Sequence, residues 1–207
     1  MVDLAERGAA MVTAELPQPM TADETTVWEF WERLELPPGW HAEILRGELI
    51  VSPTPIPQHN LIGGELSHML MEVAHPRRWT VTNTQAFALA ATDERVVPDL
   101  FVIPRNSMKG KHWVLPPDDL ILVCEITSPS TRHRDLDQKL SRYAAASIPI
   151  YLLVDNLDGD GYVTVFSSPD GNRSYKEQAT VRFGGTLHLP EPIDLEIDTG
   201  RFFEEDD

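Results

Sequence analysis

Apolar residues recur at helical spacing in the first third of the chain, and they predict two amphipathic helices. The first follows a capping-box pattern at residues 21–24 and stops at Pro37-Pro38-Gly39. Its apolar positions are spaced i, i+3, i+4 and i+7, at Val27, Phe30, Trp31 and Leu34. The second helix is predicted over residues 58–74, with a buried face made of Ile62, Leu66, Met69, Leu70 and Val73.

The strand pattern begins between these helices, where residues 40–45 and 48–51 predict a hairpin that turns at Arg46-Gly47. After the second helix the apolar residues run continuously, which is typical of strands covered on both faces. A helix is predicted between the third and the fourth of these strands. The four strands are predicted at residues 79–90, 95–104, 120–127 and 149–155. The order predicts an α/β fold. Three short strands are expected to extend or cover the sheet, at residues 161–167, 174–181 and 186–189.

Two acidic residues interrupt the apolar runs. Asp99 lies within the run 96–103, and Glu125 lies within the run 120–126. A carboxylate inside a buried strand must be protonated, paired or bound to a cation, so two of them indicate a metal site. The alternative is structural: Asp99 caps a turn, Glu125 pairs with Lys139 or an arginine, and nothing is catalysed.

The predicted helix between the last two strands carries a polar stripe beside an apolar one. Asp135, Lys139 and Tyr143 are spaced i, i+4 and i+8, and therefore share one side of the helix. The adjacent stripe, which is expected to pack on the sheet, contains Leu136, Leu140 and Ala144. Lys139 can then reach over the carboxylates, whereas Tyr143 is interpreted as a core residue.

Taken together, several motifs resemble the Uma family of the PD-(D/E)XK, or restriction-endonuclease-like, nuclease superfamily. The resemblance covers about residues 21–203, and its specific part is the long block from Glu125 to Asp155. Thr127 stands where the wider superfamily carries its lysine, and the family's lysine is then Lys139. The motifs that carry the resemblance are EILRGEL at 43–49, His59, Val97-Pro98-Asp99, EITSPST at 125–131, Asp135, Lys139, Tyr143 and YLLVD at 151–155.

The resemblance implies a restriction-endonuclease-like core of helix, three strands, helix and strand, and a metal-dependent endonuclease that hydrolyses phosphodiester bonds, with DNA as the expected substrate. Mg²⁺, for which Mn²⁺ would substitute, is expected to be held by Asp99, Glu125, the carbonyl of Ile126 and Glu43. Lys139 would orient and help deprotonate the attacking water, or neutralise the phosphate in the transition state. The predicted catalytic residues are Glu43, Asp99, Glu125 and Lys139.

Four more residues are candidate substrate contacts. His59 starts the second helix, and Gln85 alternates along a predicted strand, but both positions are at least as often structural. Arg132 and Arg134 follow the Glu125 strand, although such basic clusters are usually solvated surface. The substrate-binding prediction therefore comprises His59, Gln85, Arg132 and Arg134.

Composition limits the possible partners. A chain of 207 residues with net charge −16 is large enough for one core, and 18 of its 33 acidic residues lie in residues 1–48 and 191–207. Binding of nucleic acid normally requires a basic surface, so a net charge of −16 argues against it. Residues 49–190 have a net charge of only −2, which weakens this objection. We expect one domain at 21–203, a flexible tail at 1–20 and an acidic tail at 204–207.

Location and assembly follow from weaker signals. No apolar run is long enough to span a bilayer, and Cys124 is the single cysteine, so a cytoplasmic location without disulfides is expected. The resemblance also makes a homodimer plausible. The second functional hypothesis is a nuclease fold that has lost turnover and binds nucleic acid or a protein partner.

Overall fold

The computed structural model describes residues 26–38, 40–52, 55–128, 132–157 and 161–203. The predicted tails at 1–20 and 204–207 and the capping box at 21–24 lie outside these residues. The first helix has its own capping box one turn later, because the Thr26 hydroxyl accepts from the Glu29 N–H and the Glu29 carboxylate accepts from the Thr26 N–H. The sequence contains the capping-box pattern twice, because a glutamate follows both Thr21 and Thr26 by three residues.

Helices make up a small part of the described chain. The α-helices are α1 (Val27–Arg33), α2 (Pro57–Ala74) and α3 (Leu140–Ala145). A π-helical segment, Arg134–Lys139, runs directly into α3, and 3₁₀ turns occupy Arg105–Met108 and Thr199–Phe203. The second predicted helix is confirmed almost to the residue, and the first is confirmed but is only seven residues long. The crossover helix is π-helical in its first half.

Thirteen strands are present in the described residues. In chain order they are β1 (His41–Leu45), β2 (Glu48–Ser52), β3 (Trp79–Thr82), β4 (Ala86–Leu89), β5 (Glu94–Val96), β6 (Leu100–Pro104), β7 (Val114–Leu115), β8 (Leu122–Ile126), β9 (Ile150–Asp155), β10 (Tyr162–Pro169), β11 (Tyr175–Arg182), β12 (Thr186–Leu189) and β13 (Leu195–Asp198).

These strands form three sheets. The large sheet has the order β11-β10-β9-β8-β6-β3, and the small sheet has the order β2-β1-β5-β4-β7. Strands β8 and β9 are parallel, joined by the π-helical segment and α3 as a crossover, while β12 and β13 pair separately. The C-terminal strands extend the large sheet and cover it as predicted. Strand β13, which has only two apolar residues, was not predicted.

Two predicted strands are wrong as single elements. The run 79–90 divides into β3 and β4, and the run 95–104 divides into β5 and β6, with each half in a different sheet. The second break falls at residues 97–99, where Pro98 has no N–H to give to a ladder. Asp99 therefore lies in a bend directly before β6, and its predicted place inside a strand is wrong.

The core has two parts, one on each face of the large sheet. On one face α2 packs with the C-terminal strands, and Cys124 and Ile126 of β8 point into this layer. On the other face the large sheet meets the small sheet and α3, and Val123 points there. Because side chains alternate along a strand, Glu125 faces this second layer, between the two sheets. No helix among the described residues is long and apolar enough to cross a membrane.

Candidate active site

Lys139 is the centre of a buried charged cluster between the two sheets. Its Nζ lies 3.0 Å from Glu125 Oε2 and 3.1 Å from Glu43 Oε1. Glu125 comes from β8 of the large sheet and Glu43 from β1 of the small sheet, so the lysine joins both layers. All three side chains are almost completely buried. The structure thus brings together three of the four predicted catalytic side chains.

Two further residues complete the cluster, and neither was in the predicted site. Asp135 Oδ1 lies 3.6 Å from Lys139 Nζ, one turn earlier on the π-helical segment. The Tyr143 hydroxyl donates to Glu125 Oε1. The i, i+4, i+8 stripe contained the signal for both residues, because side chains on one helix side meet the same neighbours. Interpreting Tyr143 only as core overlooked its polar end, although the ring is fully buried.

Glu43 is held in place by the backbone of the neighbouring chain segment. Its Oε1 accepts from the Val97 N–H at 2.8 Å, just after β5 ends. Val97 precedes Pro98, which disfavours helical backbone, so the segment leaves the small sheet extended and its N–H is available to the carboxylate. This contact links Glu43 to the same bend that carries Asp99.

Asp99 lies at the open side of the cluster. Its Oδ2 accepts from the Ile126 N–H at 2.8 Å and lies 3.2 Å from His59 Nε2. The Asp99 side chain is 23% exposed, whereas those of Glu43 and Glu125 are 3% and 2% exposed. Solvent and any bound ligand can therefore reach the cluster at Asp99.

The protonation of the cluster follows from burial and from charge. Burial raises the pKa of Glu125 well above its ordinary value, and the neighbouring carboxylates add to this against the effect of Lys139. Burial acts to lower the pKa of Lys139, but Glu125, Glu43 and the other carboxylates outweigh it and raise this pKa well above its ordinary value. Lys139 is accordingly an ammonium at neutral pH.

The pKa values of His59 and Asp99 are shifted by burial and by the contact between the two side chains. Burial acts to lower the pKa of His59, but the hydrogen bond and the charge of Asp99 raise it overall. For Asp99, burial acts to raise the pKa, yet His59 and Lys139 lower it overall. Asp99 is accordingly a carboxylate at neutral pH, and it is the more exposed side chain of the pair, at 23% against 10% for His59.

The predicted metal ligands meet one another only in part. In the part of the chain that the structure describes, no three His, Cys, Asp or Glu side chains are arranged as they would be around a metal ion. Asp99 and Glu125 are hard oxygen donors, and Ile126 is adjacent through its backbone N–H. Mg²⁺ is commonly held by one or two carboxylates, with waters and substrate phosphate as its other ligands, and this donor set fits that chemistry.

The predicted substrate contacts lie in different places. His59 is buried against Asp99, within the site. Arg132 makes a bidentate contact with Asp155, from Nε to Oδ1 at 3.0 Å and from Nη2 to Oδ2 at 2.7 Å. Arg134 is half-buried at the start of the π-helical segment. Gln85 donates to the Trp113 carbonyl at 2.7 Å, outside the cluster.

Thr127 directly follows β8, at the position where the wider superfamily carries its lysine. Its Oγ1 donates to Asp155 Oδ1 at 3.0 Å. The Thr127 N–H donates to the Val154 carbonyl at 2.8 Å, which extends the β8–β9 ladder. The threonine thus fixes the strand end, while the cation comes from Lys139 on the crossover.

A mixed α/β fold, with a carboxylate–lysine cluster where strands of two sheets meet, defines the restriction-endonuclease-like class. The family model described as "Putative restriction endonuclease" matches residues 28–200, and the chain belongs to this family, Uma2. A search of curated proteins finds no match.

Among solved structures, the chain is similar to a protein of Anabaena variabilis ATCC 29413 whose crystal structure is titled as that of a putative nuclease belonging to DUF820. The TM-score is 0.69 at 19% sequence identity, and the match covers 86% of this chain and 97% of that one. This likeness shows that the two chains share a fold, and the mixed α/β architecture is consistent with the predicted restriction-endonuclease-like core.

Proposed function

We propose that this protein is a divalent-metal-dependent endonuclease that hydrolyses phosphodiester bonds of DNA. The observation that carries the proposal is the position of Lys139 Nζ, within 3.1 Å of carboxylates from both sheets and beside the exposed Asp99. Membership of a family of this description supports the nuclease assignment. The cation, the substrate and the mechanism are parts of the proposal.

The charge balance of the cluster supports a cation site. Three carboxyl groups, those of Glu43, Glu125 and Asp135, surround one ammonium, and this excess of acidic groups is one of the causes that raise the pKa of Glu125. Unpaired buried charge is unfavourable, so a divalent ion at Asp99 and Glu125 would neutralise it. When bound, such an ion supplies stabilisation of phosphate charge and a more acidic water molecule.

The side chains of the chain itself have distinct roles in this proposal. Lys139, as an ammonium, directs positive charge towards the site where negative charge develops on the phosphate. Glu43 and Tyr143 hold Lys139 and Glu125 in position through the contacts described above. His59 fixes the orientation of Asp99. Such positioning lets the cluster act without rearrangement at the moment of reaction.

The experiment is nicking of supercoiled plasmid DNA in Mg²⁺, in Mn²⁺ and in EDTA. The wild-type protein is expected to nick only with a divalent ion, and Asp99→Asn, Glu125→Gln and Lys139→Met each to lose at least about 100-fold in rate. Glu72→Gln is the matched control, because Glu72 is an exposed carboxylate on α2. Nicking that persists in EDTA, or equally in all variants, would refute the proposal.

A catalytically silent module that binds nucleic acid or a protein partner is the second candidate. It is favoured by one observation: Lys139 already acts as counterion to Glu43 and Glu125, which reduces the need for a metal. This candidate predicts DNA binding without nicking in any divalent ion. Thermal stabilisation by Mg²⁺ alone would then distinguish a metal-binding module from a metal-free one.

Cutting both strands of a duplex is easier with two copies of a single site, and a homodimer is therefore part of the first proposal. Size-exclusion chromatography with light scattering tests it. A monomer that nicks but does not linearise plasmid DNA would leave the nuclease proposal intact and remove the dimer.

A further inference from the structure

The segment between β6 and β7 displays a tryptophan and two lysines on a fixed backbone. We call residues 109–113, with the sequence Lys-Gly-Lys-His-Trp, the tryptophan loop. Just before the loop, within the 3₁₀ turn Arg105–Met108, the Ser107 hydroxyl donates to Asp119 Oδ2 at 2.6 Å. At its end the Gln85 amide donates to the Trp113 carbonyl at 2.7 Å, and Val114 pairs with Ala86. Both ends of the loop are thus tied to the fold.

The Trp113 side chain is 88% exposed, whereas Ile56, the next most exposed large apolar residue in the described part of the chain, is 54% exposed. Tryptophan is enriched at interfaces, because its ring offers a large apolar face and its indole N–H a polar edge. The contact from Gln85 holds the backbone of Trp113 and leaves its ring free. The loop therefore presents an aromatic face to a ligand.

The tryptophan loop itself is basic in a chain of net charge −16. Residues 105–113 contain Arg105, Lys109 and Lys111 and no acidic residue, while Asp118 and Asp119 follow the loop, and Asp119 accepts from the Ser107 hydroxyl. Two of the four lysines of the chain are in the loop, and a third is Lys139. An anionic ligand would be attracted to this loop and repelled by most of the remaining surface.

The loop also lies at the active-site end of the small sheet. Phe87 pairs with Val96 on one side and with Leu115 on the other. The residues just before Ala86 and Val114 therefore leave the sheet at the end where Val97 meets Glu43. The order β1-β5-β4-β7 separates Glu43 from this edge by three strand spacings, about 14 Å. A nucleic-acid strand in the site can reach the loop within a few nucleotides.

A groove beside the loop has the size of a nucleotide site. It has a volume of about 730 Å³ and is lined by residues that include Trp31, Glu32, Ala42, Arg95 and Trp113. It lies on the face of the small sheet that α1 covers, opposite the face of Glu43, because Ala42 and Glu43 alternate along β1. Ligand sites for small molecules generally measure a few hundred to about 1,000 Å³ and combine apolar walls with a few polar groups. The groove provides this combination next to the exposed indole.

We propose that the tryptophan loop binds an unpaired nucleotide of the substrate strand. Trp113 stacks on the base, and Lys109 and Lys111 contact the adjacent phosphates. Stacking needs an open base face, which single-stranded or locally unpaired nucleic acid offers and an intact duplex does not. This inference deepens the proposed function, since the same strand would occupy the site at Asp99, and it defines the substrate class as single-stranded or containing unpaired bases.

The first test measures binding without turnover. Anisotropy of labelled oligothymidine and of a blunt duplex is recorded in EDTA at fixed ionic strength, for the wild type and for Trp113→Ala, Trp113→Phe and Phe203→Ala. Trp113→Ala is expected to weaken single-strand binding by roughly 5- to 100-fold, the range for loss of one base–aromatic stack. Trp113→Phe should retain most of the affinity, and Phe203, an exposed aromatic on the C-terminal 3₁₀ turn, is the control.

Three outcomes would overturn the inference: no single-strand binding by the wild type, equal affinity of Trp113→Ala and wild type, or an equal loss for the duplex and the single strand. Circular dichroism and melting of each variant check that the fold is intact. Because Trp113 is exposed, its replacement is expected to leave the melting temperature unchanged.

The second test concerns the lysines. The slope of log Kd against log salt concentration is expected to fall by about 0.7 for each lost phosphate contact with a single strand, so by about 1.4 in Lys109→Ala/Lys111→Ala. Lys176→Ala, at an exposed lysine on β11, is the matched control and should leave the slope unchanged. An unchanged slope in the double variant would refute the phosphate contacts.

These tests separate the two proposals. Binding that depends on Trp113 in a protein that never nicks would refute the nuclease and leave the loop assignment standing. Metal-dependent nicking with binding that is indifferent to Trp113 would refute only the loop assignment.

Discussion

Glu43 and Lys139 form a 3.1 Å ion pair although they belong to a strand of the small sheet and to the crossover of the large one. Both side chains are almost fully buried. A buried ion pair contributes little net stability by itself, but loss of one partner leaves an uncompensated charge. The pair therefore fixes how the two layers meet, and the carboxylates depend on the lysine.

Replacement of Lys139 by methionine is predicted to destabilise the fold by about 3–5 kcal/mol, because the buried carboxyl groups of Glu43 and Glu125 lose the ammonium that lies within 3.1 Å of each. Urea unfolding at neutral pH measures this. Lys176→Met, at an exposed position, should change stability by less than about 0.5 kcal/mol. Mg²⁺ is expected to restore part of the loss in Lys139→Met. A loss below about 1 kcal/mol would contradict the central role of Lys139.

Tyr143 is predicted to matter through its hydroxyl as well as through its ring. Tyr143→Phe keeps the ring contact with Tyr151, at 5.1 Å between centroids, but leaves Glu125 Oε1 without this donor. The expected loss is about 1–3 kcal/mol of unfolding free energy. Tyr162→Phe, whose hydroxyl belongs to a half-buried strand residue outside the cluster, is the comparison. Equal stability of Tyr143→Phe and wild type would show that the hydroxyl contributes nothing.

A second buried pair is predicted to hold the crossover against the small sheet. Arg142 Nε lies 2.9 Å from Glu94 Oε1 and 2.8 Å from Oε2, and Oε1 also accepts from the Arg46 N–H at 2.8 Å. A double-mutant cycle with Glu94→Gln and Arg142→Met should give a coupling energy of about 1–3 kcal/mol. The half-buried Arg201–Glu65 pair should couple by less than about 1 kcal/mol. Similar coupling in both cycles would remove the special role of Glu94.

The sequence predicted the contact between Glu125 and Lys139 because both signals were local, whereas Glu43, which lies in the other sheet, was expected only from the family resemblance. A glutamate within a continuous apolar strand must find a partner, and a helical stripe with Lys139 offered one. The structure confirms the Glu125–Lys139 contact that was considered as the structural alternative to a metal site. The catalytic role of the same residues stays a prediction.

The division of the sheets could not be read from the sequence. The predicted strand 79–90 runs through the polar residues 82–85, and the predicted strand 95–104 runs through Pro98, but the chain changes sheets at both places, and Thr84 has a positive φ of 62°. Whether a break in a run is a bulge or a change of sheet depends on distant strands that supply the new partners. For the same reason the Arg132 contact with Asp155 was not predicted, since it joins segments 23 residues apart.

Asp155 closes the end of β9 through hydrogen bonds from three partners. Arg132 and the Thr127 hydroxyl donate to its carboxylate, and the Leu157 N–H donates to Oδ1 at 3.3 Å. Burial acts to raise the pKa of Asp155, but these donors outweigh it, and the pKa lies below its ordinary value. The Asp155 side chain is 10% exposed and that of Arg132 is 38% exposed, so solvent screens the ion pair mainly at the arginine.

The pH dependence of stability tests this arrangement. Because the pKa of Asp155 is lower in the folded than in the unfolded chain, its contribution is fully present above the unfolded value, about pH 4, and is lost as the pH falls through the folded value. Asp155→Asn should therefore destabilise by about 1–3 kcal/mol at neutral pH, with the difference from wild type shrinking below about pH 4. Urea unfolding across this range measures it, with Asp118→Asn at an exposed position as the control. A difference that stays constant as the pH falls would mean that the Asp155 charge has no part in holding the β9 end.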